Sequence, residues 1–587
     1  MLNKKAPLKK VFFHVLPFLK KNKWRIISGV SCLILIDAIQ LYIPRITKEV
    51  IDKLANGTAK QPEMVKYGLL FILFSILVGG FRFLWRWLII GTARRMERDI
   101  RQRFYEHVLS LPLEFFNKTK IGDLMALATN DLDAVRMMFG IGLIASFDAF
   151  IWGAAALACM AYISPIHTLY IGIPLPILTV LLLYFGPHLN KQFRKVQMIF
   201  ANLTDKAQET FSGIRVVKSY VQEEQEENSF KQMSLNYIKA NLRLTLIWGM
   251  LDPTINLVIG ISISLILLLV GKDVLIGNLT MGDFVAFNLY LGLAIWPMIA
   301  MGWVVNLVQR GKASMERINE VFNSIPEMSF TEEIKEIDKI KGSIEFRNLT
   351  FFYSNSNYPA LENLSMKVEP DRTIAIVGRT GSGKTTLVSL LSGLYKPEKG
   401  TLFIDGKDIT EFDLENLRKQ VGVVPQEAFL FSETIIENLL FGKITAARDE
   451  ALNYAKLADV HNDINAFPEG YETLVGERGI TLSGGQKQRV TIARTLLTEP
   501  RILVLDDSLS SVDTHTEEAI LKNLKEIRRG RTTIIISHRI STVHDADKIF
   551  VIDNGRLAEE GTHEQLINLG GIYADMEERQ RLEESLA

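Results

Sequence analysis

Two glycine-rich segments and one pair of carboxylates carry residue types suited to the chemistry of phosphate groups. The first segment, Gly378–Thr386, reads GRTGSGKTT and matches the pattern G-x-x-x-x-G-K-[ST]. The second, Leu482–Gln486, reads LSGGQ, and its glycines let the backbone approach a ligand just ahead of a helix N-terminus, which favours anions. The carboxylates of Asp506 and Asp507 directly follow the apolar run Ile502–Leu505. These features predict a site for a phosphate compound and its metal ion.

The first segment has the context that a phosphate-binding loop requires. A β-rich run, Thr373–Val377, precedes it, and a helical pattern begins at Lys384. In such a loop the backbone N–H groups of Gly381–Thr385 cradle phosphates, Lys384 reaches the β and γ oxygens, and the Thr385 hydroxyl is suited to Mg²⁺. Asp506 is expected to complete the magnesium site, because ligands of open α/β sheets bind at the carboxyl ends of the strands.

The elements that position these residues occupy the second half of the chain, residues 343–587. Short β-rich runs alternate there with helical patterns, which is typical of an α/β domain with a largely parallel sheet. The β-rich runs are SIEFRNLTFFY, TIAIVG, RILVL and TTIIIS. A polar and acidic stretch, residues 323–342, is interpreted as the linker that separates this domain from residues 1–322.

Residues 1–322 contain apolar segments that are each long enough to cross about 30 Å of hydrocarbon as a helix. They are residues 26–43, 67–90, 137–163, 168–187, 253–271 and 284–309. The chain is 48% hydrophobic, which agrees with a protein that lies partly in lipid. The stretch Leu8–Leu19 is interpreted as a further helix that lies on the membrane surface.

The gaps between these segments alternate between long and short, so the long gaps fall on one side of the membrane. Lys and Arg are concentrated in the N-terminus and in the long gaps, which predicts that this side is cytoplasmic. The membrane helices are expected to extend into the cytosol through Arg94–Leu111 and Asn190–Phe211, because these helix-prone stretches lack the residues that usually mark loops. Two short amphipathic stretches follow them, Glu114–Asp123 and Gly213–Gln222, and each is either an ordinary helical turn or a helix that docks on the second half.

Charged and aromatic side chains within the apolar segments are weaker candidates for a substrate site. Arg82, Arg86 and Asp148 are costly in lipid and tend to face a cavity or a partner, either for transport or as structural pairs. Three aromatic residues of the last segment are either an amphiphile site or packing and interface anchors: Tyr290, Trp296 and Trp303. The balance of 67 basic and 66 acidic residues gives no signal for nucleic acid, and two distant cysteines argue against a disulfide framework or a zinc site.

In its motifs and their order the chain resembles the ATP-binding cassette (ABC) transporters, and among them the half-size exporters with six spans followed by one nucleotide domain. The phosphate-binding loop and LSGGQ are accompanied by Gln426 in VVPQE, Glu477 in VGERG, the loop Ser508–Asp513 and His538 in IIISHR. LSGGQ separates this family from other P-loop ATPases, and the six fused spans separate it from soluble members. The resemblance covers nearly the whole chain and implies an α-helical transmembrane domain fused to an α/β P-loop NTPase domain.

The resemblance also implies roles for individual residues. Tyr353 would stack on adenine, with a strand residue packed in the sheet as the alternative. Gln426 would sense the γ-phosphate and Mg²⁺, His538 would contact the γ-phosphate, and the two short amphipathic stretches would be coupling helices. Nucleotide domains of this family dimerise head to tail, so each ATP lies between one domain's loop and the other domain's signature. The other residues implied for ATP are Gly378, Thr380, Gly381, Ser382, Gly383, Lys384, Thr385, Thr386, Ser483, Gly484, Gly485 and Gln486, and those for Mg²⁺ are Thr385, Gln426 and Asp506.

The chain departs from the family at Asp507, where the residue after the magnesium aspartate is normally Glu, the base that polarises the attacking water. A side chain shorter by one methylene withdraws its carboxylate by about 1.5 Å, and misplacement by about 1 Å can cost about a hundredfold in rate. We therefore expect this chain to bind ATP but to hydrolyse it slowly, unless Asp507 works after a slight rearrangement. With an intact LSGGQ, this combination resembles one subunit of a heterodimeric exporter whose partner supplies the catalytic Glu.

The expected function is ATP-driven export of amphiphilic compounds, multidrug in type, across the cell membrane. Two alternatives are a homodimeric exporter of lipids or peptides, and a membrane protein that binds ATP in a regulatory role without transport. An ABC ATPase acting on nucleic acid is disfavoured by the six spans and the balanced charge. Import is disfavoured because the fusion of the two domains in this order resembles exporters.

Overall fold

The computed structural model describes residues 11–327, 339–354, 356–476, 482–509, 514–527 and 530–586. The chain divides into two compact units, the first formed by Met1–Leu111 and Lys120–Ile325, the second by Pro112–Thr119 and Pro326–Ala587. Most of the expected linker, Glu477 and the end of the loop after Ser508 lie outside the described residues, as does the start of the N-terminal stretch.

The described part of residues 11–322 is almost entirely helical. In chain order its helices are α1 (Leu16–Lys21), α2 (Lys23–Ala55), α3 (Gln61–Leu109), α4 (Leu113–Lys118), α5 (Ile121–Ile163), α6 (Pro165–Ser212), α7 (Ile214–Ser219), α8 (Glu223–Ile276) and α9 (Met281–Phe322). Six of them, α2, α3, α5, α6, α8 and α9, are long and apolar enough to cross a membrane. The six apolar segments predicted from the sequence are confirmed as helices, and the second remains helical through Arg82 and Arg86.

Long helices extend well beyond the apolar segments, as the absence of loop-forming residues in the sequence predicted. Ion pairs hold these extensions together. The carboxylate of Glu97 on α3 is buried and accepts from Arg101 at 2.6 Å, and it lies 3.1 Å from the guanidinium of Arg136 on α5. Also on α5, the buried Asp131 accepts from the hydroxyl of Ser314 on α9 at 2.6 Å. Buried carboxylates of this kind require partners, and here they join α3, α5 and α9.

The two short amphipathic stretches form helices that belong to different units. The first is divided at Thr119, so that α4 is a separate helix and α5 begins at Ile121. By its contacts α4 belongs to the second unit, where Asn117 donates to the hydroxyl of Tyr395 at 2.5 Å. Hydrogen bonds from Lys118 and Ser354 lower the pKa of Glu114 on the same helix. The second stretch forms α7, which stays with the first unit.

The second unit is an α/β domain built on two sheets. A six-stranded sheet has the order β10-β9-β3-β8-β7-β6, parallel except for β10, and an antiparallel sheet has the order β2-β1-β4-β5. The strands are β1 (Ile344–Phe351), β2 (Leu361–Val368), β3 (Thr373–Val377), β4 (Leu402–Ile404), β5 (Lys407–Asp408), β6 (Val421–Val424), β7 (Ile502–Asp506), β8 (Thr532–Ile536), β9 (Lys548–Asp553) and β10 (Arg556–Gly561). The sequence predicted a largely parallel sheet, which the larger one is. The run SIEFRNLTFFY instead forms β1 of the antiparallel sheet.

The central strands of the larger sheet are buried on both faces, which explains their unbroken apolar sequences. Every residue of β7 and β8 is buried. Alternate residues along these strands belong to two different apolar clusters, one on each face of the sheet. The helices of this unit are α10 (Lys384–Leu391), α11 (Leu414–Gln420), α12 (Ile435–Leu440), α13 (Arg448–Leu457), α14 (His461–Asn465), α15 (Gly484–Leu497), α16 (Thr514–Ile527), α17 (Ile540–Val543), α18 (His563–Leu569) and α19 (Ile572–Leu586).

Candidate functional site

The phosphate-binding loop connects the carboxyl end of β3 with the N-terminus of α10, in the order that the sequence predicted. Two of its glycines are required by the backbone. Gly378 has φ +153°, and a Cβ there would lie 2.1 Å from the carbonyl oxygen of Ile552. Gly383 has φ +102°, and a Cβ there would lie 2.7 Å from the carbonyl oxygen of Ala360. A side chain at either position would push the loop away from the backbone that supports it.

Lys384 is held by the loop that it follows. Its side chain is buried, and its ammonium group donates to the carbonyl oxygens of Gly378 at 2.8 Å and Arg379 at 2.9 Å. Burial lowers the pKa of Lys384, while the carboxylates of Asp506 and Asp507 act in the opposite direction. The ammonium group is therefore a partly desolvated cation beside the loop, an arrangement that favours an incoming polyanion.

The two carboxylates at the end of β7 have different environments. Asp506 is the last residue of the strand and is 3% exposed. Burial raises its pKa, and a hydrogen bond from the Thr385 side chain opposes this effect. Asp507 lies just outside the strand with φ +46°, and its backbone N–H donates to the carbonyl of Ile536 at 2.8 Å. Its Oδ2 accepts from the Gln426 amide at 3.4 Å, so the structure brings these two predicted residues together.

A cavity of about 430 Å³ lies above the phosphate-binding loop. Predicted residues from five separate parts of the chain line it: Tyr353, Thr380, Gly381, Ser382, Gly383, Lys384, Thr385, Thr386, Gln426, Asp506, Asp507 and His538. Gly378 is not among the residues that line the cavity, and its carbonyl accepts from Lys384. Asn554 and Gly555 also line the cavity, although the sequence analysis did not single them out. The dipeptide Asn-Gly is typical of hairpin turns, and here it forms the turn between β9 and β10. The backbone N–H of Gly555 donates to the carbonyl of Ser382.

Tyr353 lies beyond the end of β1, with its ring at the cavity. Its hydroxyl forms a hydrogen bond of 3.0 Å with the hydroxyl of Thr386. Its ring packs edge-on against Phe351 and Tyr395, with centroid distances of 5.2 Å in both cases. This placement differs from that of a strand residue packed within the sheet. Tyr395 and its partner Asn117 were not predicted, because no local pattern relates residues this far apart in sequence.

The signature residues form the start of α15. Ser483 caps the helix, accepting from the backbone N–H of Gln486 at 3.2 Å, while the Gln486 side chain accepts from the backbone N–H of Ser483 at 3.0 Å. Gly484 and Gly485 occupy the first turn. The signature residues all fall within the described ranges, and none of them lines the cavity above the chain's own loop.

The donor set at the cavity fits a hard cation bound together with phosphates. The Thr385 hydroxyl, the Asp506 carboxylate and the Gln426 amide provide oxygen ligands, which Mg²⁺ prefers. Within the part of the chain that the structure describes, no group of three or more His, Cys, Asp or Glu side chains could hold a metal ion. A site with two or three protein oxygens, completed by phosphate and water, is the usual arrangement for Mg²⁺.

Comparison with known families gives two matches that follow the two halves of the chain. Residues 26–298 match the family described as ABC transporter transmembrane region. Residues 361–510 match the family described as ABC transporter. The first match contains nearly all of the first candidate span, the next four and the start of the sixth. The second contains the phosphate-binding loop, the signature and both carboxylates.

Whole-length relatives agree with these matches. The chain is 37% identical to the probable multidrug resistance ABC transporter ATP-binding/permease protein YheI of Bacillus subtilis, over 96% of this chain and 97% of that protein. It is 35% identical to the multidrug resistance-like ATP-binding protein MdlA of Escherichia coli, over 98% and 97%. It is 31% identical to the ATP-dependent lipid A-core flippase of Syntrophus aciditrophicus, over 98% and 95%.

A solved structure of a bacterial Atm1-family ABC exporter with ATP bound has a TM-score of 0.76 to this chain, with 28% identity over 95% of this chain and 98% of that one. The fold, the phosphate site and these relatives lead to one conclusion. The chain belongs to the ABC transporter family, and it is a multi-pass membrane exporter whose ATPase activity is coupled to transport.

Proposed function

We propose that this chain is one subunit of a heterodimeric exporter of amphiphilic compounds, and that the ATP held by its own phosphate-binding loop is hydrolysed slowly. The observation that carries this proposal is Asp507, which follows Asp506 at the position where the resembling exporters have Glu. The names of YheI and MdlA refer to multidrug resistance, which supports amphiphilic drugs as the substrate class.

The backbone at Asp507 offers little freedom to compensate for a short side chain. The residue has φ +46°, and its N–H is held by the carbonyl of Ile536 on the neighbouring strand. Its carboxylate already lies against Gln426. A Glu at this position would extend about 1.5 Å further into the cavity, where a water attacking the γ-phosphate would have to lie. We therefore attribute slow hydrolysis to a carboxylate that ends too far from that water.

The remaining residues of the cavity are suited to holding ATP. Lys384 and the N–H groups of the loop would bind the phosphates, and Tyr353 would support the adenine ring. Thr385, Asp506 and Gln426 would hold Mg²⁺, which neutralises charge on the β- and γ-phosphates when it is bound. None of these contacts with ATP and Mg²⁺ is assigned to Asp507.

The signature of this chain is complete, and its two glycines form the first turn of α15, whose N-terminus favours an anion. In the proposed dimer it faces the ATP held by the partner, where a catalytic Glu of the partner would allow rapid hydrolysis. The two ATP sites would then differ, one retaining ATP and the other turning it over. Closing of the nucleotide domains around both ATP molecules would switch the membrane helices between their inward-facing and outward-facing states.

Helix α4 supports a route from the nucleotide to the membrane helices. It connects α3 to α5 in sequence, yet it packs within the second unit through Asn117 and Tyr395. We propose that it is a coupling helix, and that the N-terminus and the nucleotide domain lie in the cytoplasm of a cell whose plasma or inner membrane holds the six spans. The excess of Lys and Arg beside the long gaps supports that orientation.

The test is ATPase activity of the purified chain alone and together with a candidate partner half-transporter that has Glu after its own magnesium aspartate. We expect low activity alone and high activity for the pair. In the pair, Asp507→Asn should change the rate little, whereas removal of the partner's Glu should abolish it. Brisk activity of the chain alone, lost in Asp507→Asn, would instead favour a homodimeric exporter. A pair that hydrolyses ATP but moves no compound in proteoliposomes would favour a regulatory role.

A further inference from the structure

The C-terminal helix α19 holds the loop that carries His538. The side-chain amide of Gln580 contacts this loop at two points. Its Oε1 accepts from the backbone N–H of Ile540 at 2.8 Å, and its Nε2 donates to the backbone carbonyl of His538. A single amide thus fixes the peptide groups on both sides of Arg539. Only a side chain with a donor and an acceptor in one plane can make both bonds.

Other contacts also hold the same loop. Arg539 donates to the buried carboxylate of Glu517 at 2.7 Å, and its backbone N–H donates to the hydroxyl of Ser537 at 3.0 Å. Helix α19 also approaches the phosphate-binding loop, where Asp575 lies 3.9 Å from Arg379. The helix therefore contacts two of the segments that line the cavity, the phosphate-binding loop and the loop that carries His538.

We propose that Gln580 is a positioning residue that sets the direction of the His538 imidazole, and so favours ATP over ADP at this chain's own site. This inference rests on the contact of His538 with the γ-phosphate that the family resemblance implies, and so on the proposed binding of ATP at this site. His538 lines the cavity together with Asp506 and Lys384, which places this residue at the phosphate end. A backbone held at the carbonyl of His538 and at the N–H two residues later has little freedom to rotate, and this fixes the direction in which the His538 side chain leaves the backbone. Without Gln580, the His538 imidazole would no longer be held toward the γ-phosphate. ADP lacks this phosphate, so only the binding of ATP would be weakened.

The experiment measures the affinity of the full-length chain in detergent for the Mg²⁺ complexes of AMP-PNP and of ADP, by displacement of a fluorescent nucleotide. For Gln580→Ala we expect AMP-PNP to bind about tenfold more weakly, the effect of one hydrogen bond to a charged group. The affinity for ADP should stay within about twofold. Glu578→Gln, an exposed change on the same helix, is the matched control and should alter neither affinity.

Gln580→Glu keeps an acceptor for Ile540 but replaces the donor to the His538 carbonyl by a carboxylate oxygen. It should reproduce the loss for AMP-PNP even if Gln580→Ala folds poorly. In a His538→Ala background, either Gln580 change should cause no further loss, because the two residues act on one interaction. Equal losses for AMP-PNP and ADP, or no loss for either, would overturn the inference.

These measurements require neither a partner nor transport. If His538→Ala leaves the preference for AMP-PNP unchanged, the role of Gln580 is refuted while the proposed export function stands. If the chain turns out to be a homodimer that hydrolyses ATP rapidly, the proposed function fails while the expected effect of Gln580 is unchanged.

Discussion

Replacement of Tyr395 by Phe should weaken the coupling between ATP and transport while leaving the affinity for ATP nearly unchanged. The hydroxyl of Tyr395 accepts from Asn117 on α4 at 2.5 Å, and its ring packs edge-on against Tyr353 at 86°. The hydroxyl and the ring of Tyr395 therefore contact different residues, Asn117 and Tyr353. Tyr395→Phe removes only the hydrogen bond with α4, the proposed coupling helix, whereas Tyr395→Ala also removes the support of Tyr353.

The size of each effect follows from the interactions that each substitution removes. The hydrogen bond to Asn117 is exposed, so its net contribution is at the low end of the usual range, about 0.5 to 1 kcal/mol, or a factor of about two to five. Each aromatic pair contributes about 0.5 to 1.5 kcal/mol beyond the area it buries. We expect Tyr395→Phe to lower transport per ATP by about two- to fivefold. Tyr395→Ala should in addition weaken ATP binding by about fivefold.

The assay compares ATP-driven ethidium uptake into inverted vesicles with ATP hydrolysis in the same vesicles, and uses nucleotide displacement for the affinity. Asn117→Ala should match Tyr395→Phe, and the double change should equal either single change, because one bond is removed in all three. Tyr358→Phe, a change at an exposed tyrosine of the same unit, is the control. Full coupling in Tyr395→Phe, or additive effects in the double variant, would refute the reasoning.

Three further predictions concern the nucleotide domain. Gly378→Ala should abolish ATP binding in a displacement assay, since its Cβ would lie 2.1 Å from the carbonyl of Ile552 and the loop would have to move; retained affinity would contradict this. Because burial lowers the pKa of Lys384, ATP affinity measured across a pH series should begin to fall at a lower pH than the ordinary lysine pKa of about 10.4, and Lys384→Arg should remove this fall. Glu517→Ala removes the buried acceptor of Arg539 and should cost about 2 kcal/mol, seen as a Tm lower by about 5 °C; an unchanged Tm would contradict it.

Local patterns predicted most of the fold and most of the residues that line the cavity. Six helices could be predicted because lipid demands long apolar runs, and the loop at 378–386 because glycine, lysine and hydroxyl positions have a fixed spacing. The long helical extensions could be predicted because helix-prone residues continue without loop punctuation. In each case the physical requirement acts over a few neighbouring residues, so the sequence records it directly.

What the sequence did not reveal depends on interactions between distant residues. Nothing near Tyr395 or Gln580 shows that one meets α4 and the other the His538 loop. Strand pairing is equally non-local. The first β-rich run pairs antiparallel with β2 and β4, and this sheet was not predicted because neither partner was recognised as a strand. Tyr353 is an intermediate case, since its position at the end of a β-rich run is visible in the sequence but its partners are not.

The central claim is that ATP on this chain's own loop is cut slowly because Asp507 ends short of the attacking water. The most direct measurement uses the assembled pair with the P-loop lysine of the partner subunit replaced, so that only this chain's loop binds radiolabelled ATP, and follows phosphate release in a single turnover. We predict that most of the bound ATP remains intact over the time in which the unmodified pair turns over many times. Asp507→Glu should then raise the rate by about a hundredfold. Rapid release with Asp507 present, or no gain in Asp507→Glu, would contradict the claim.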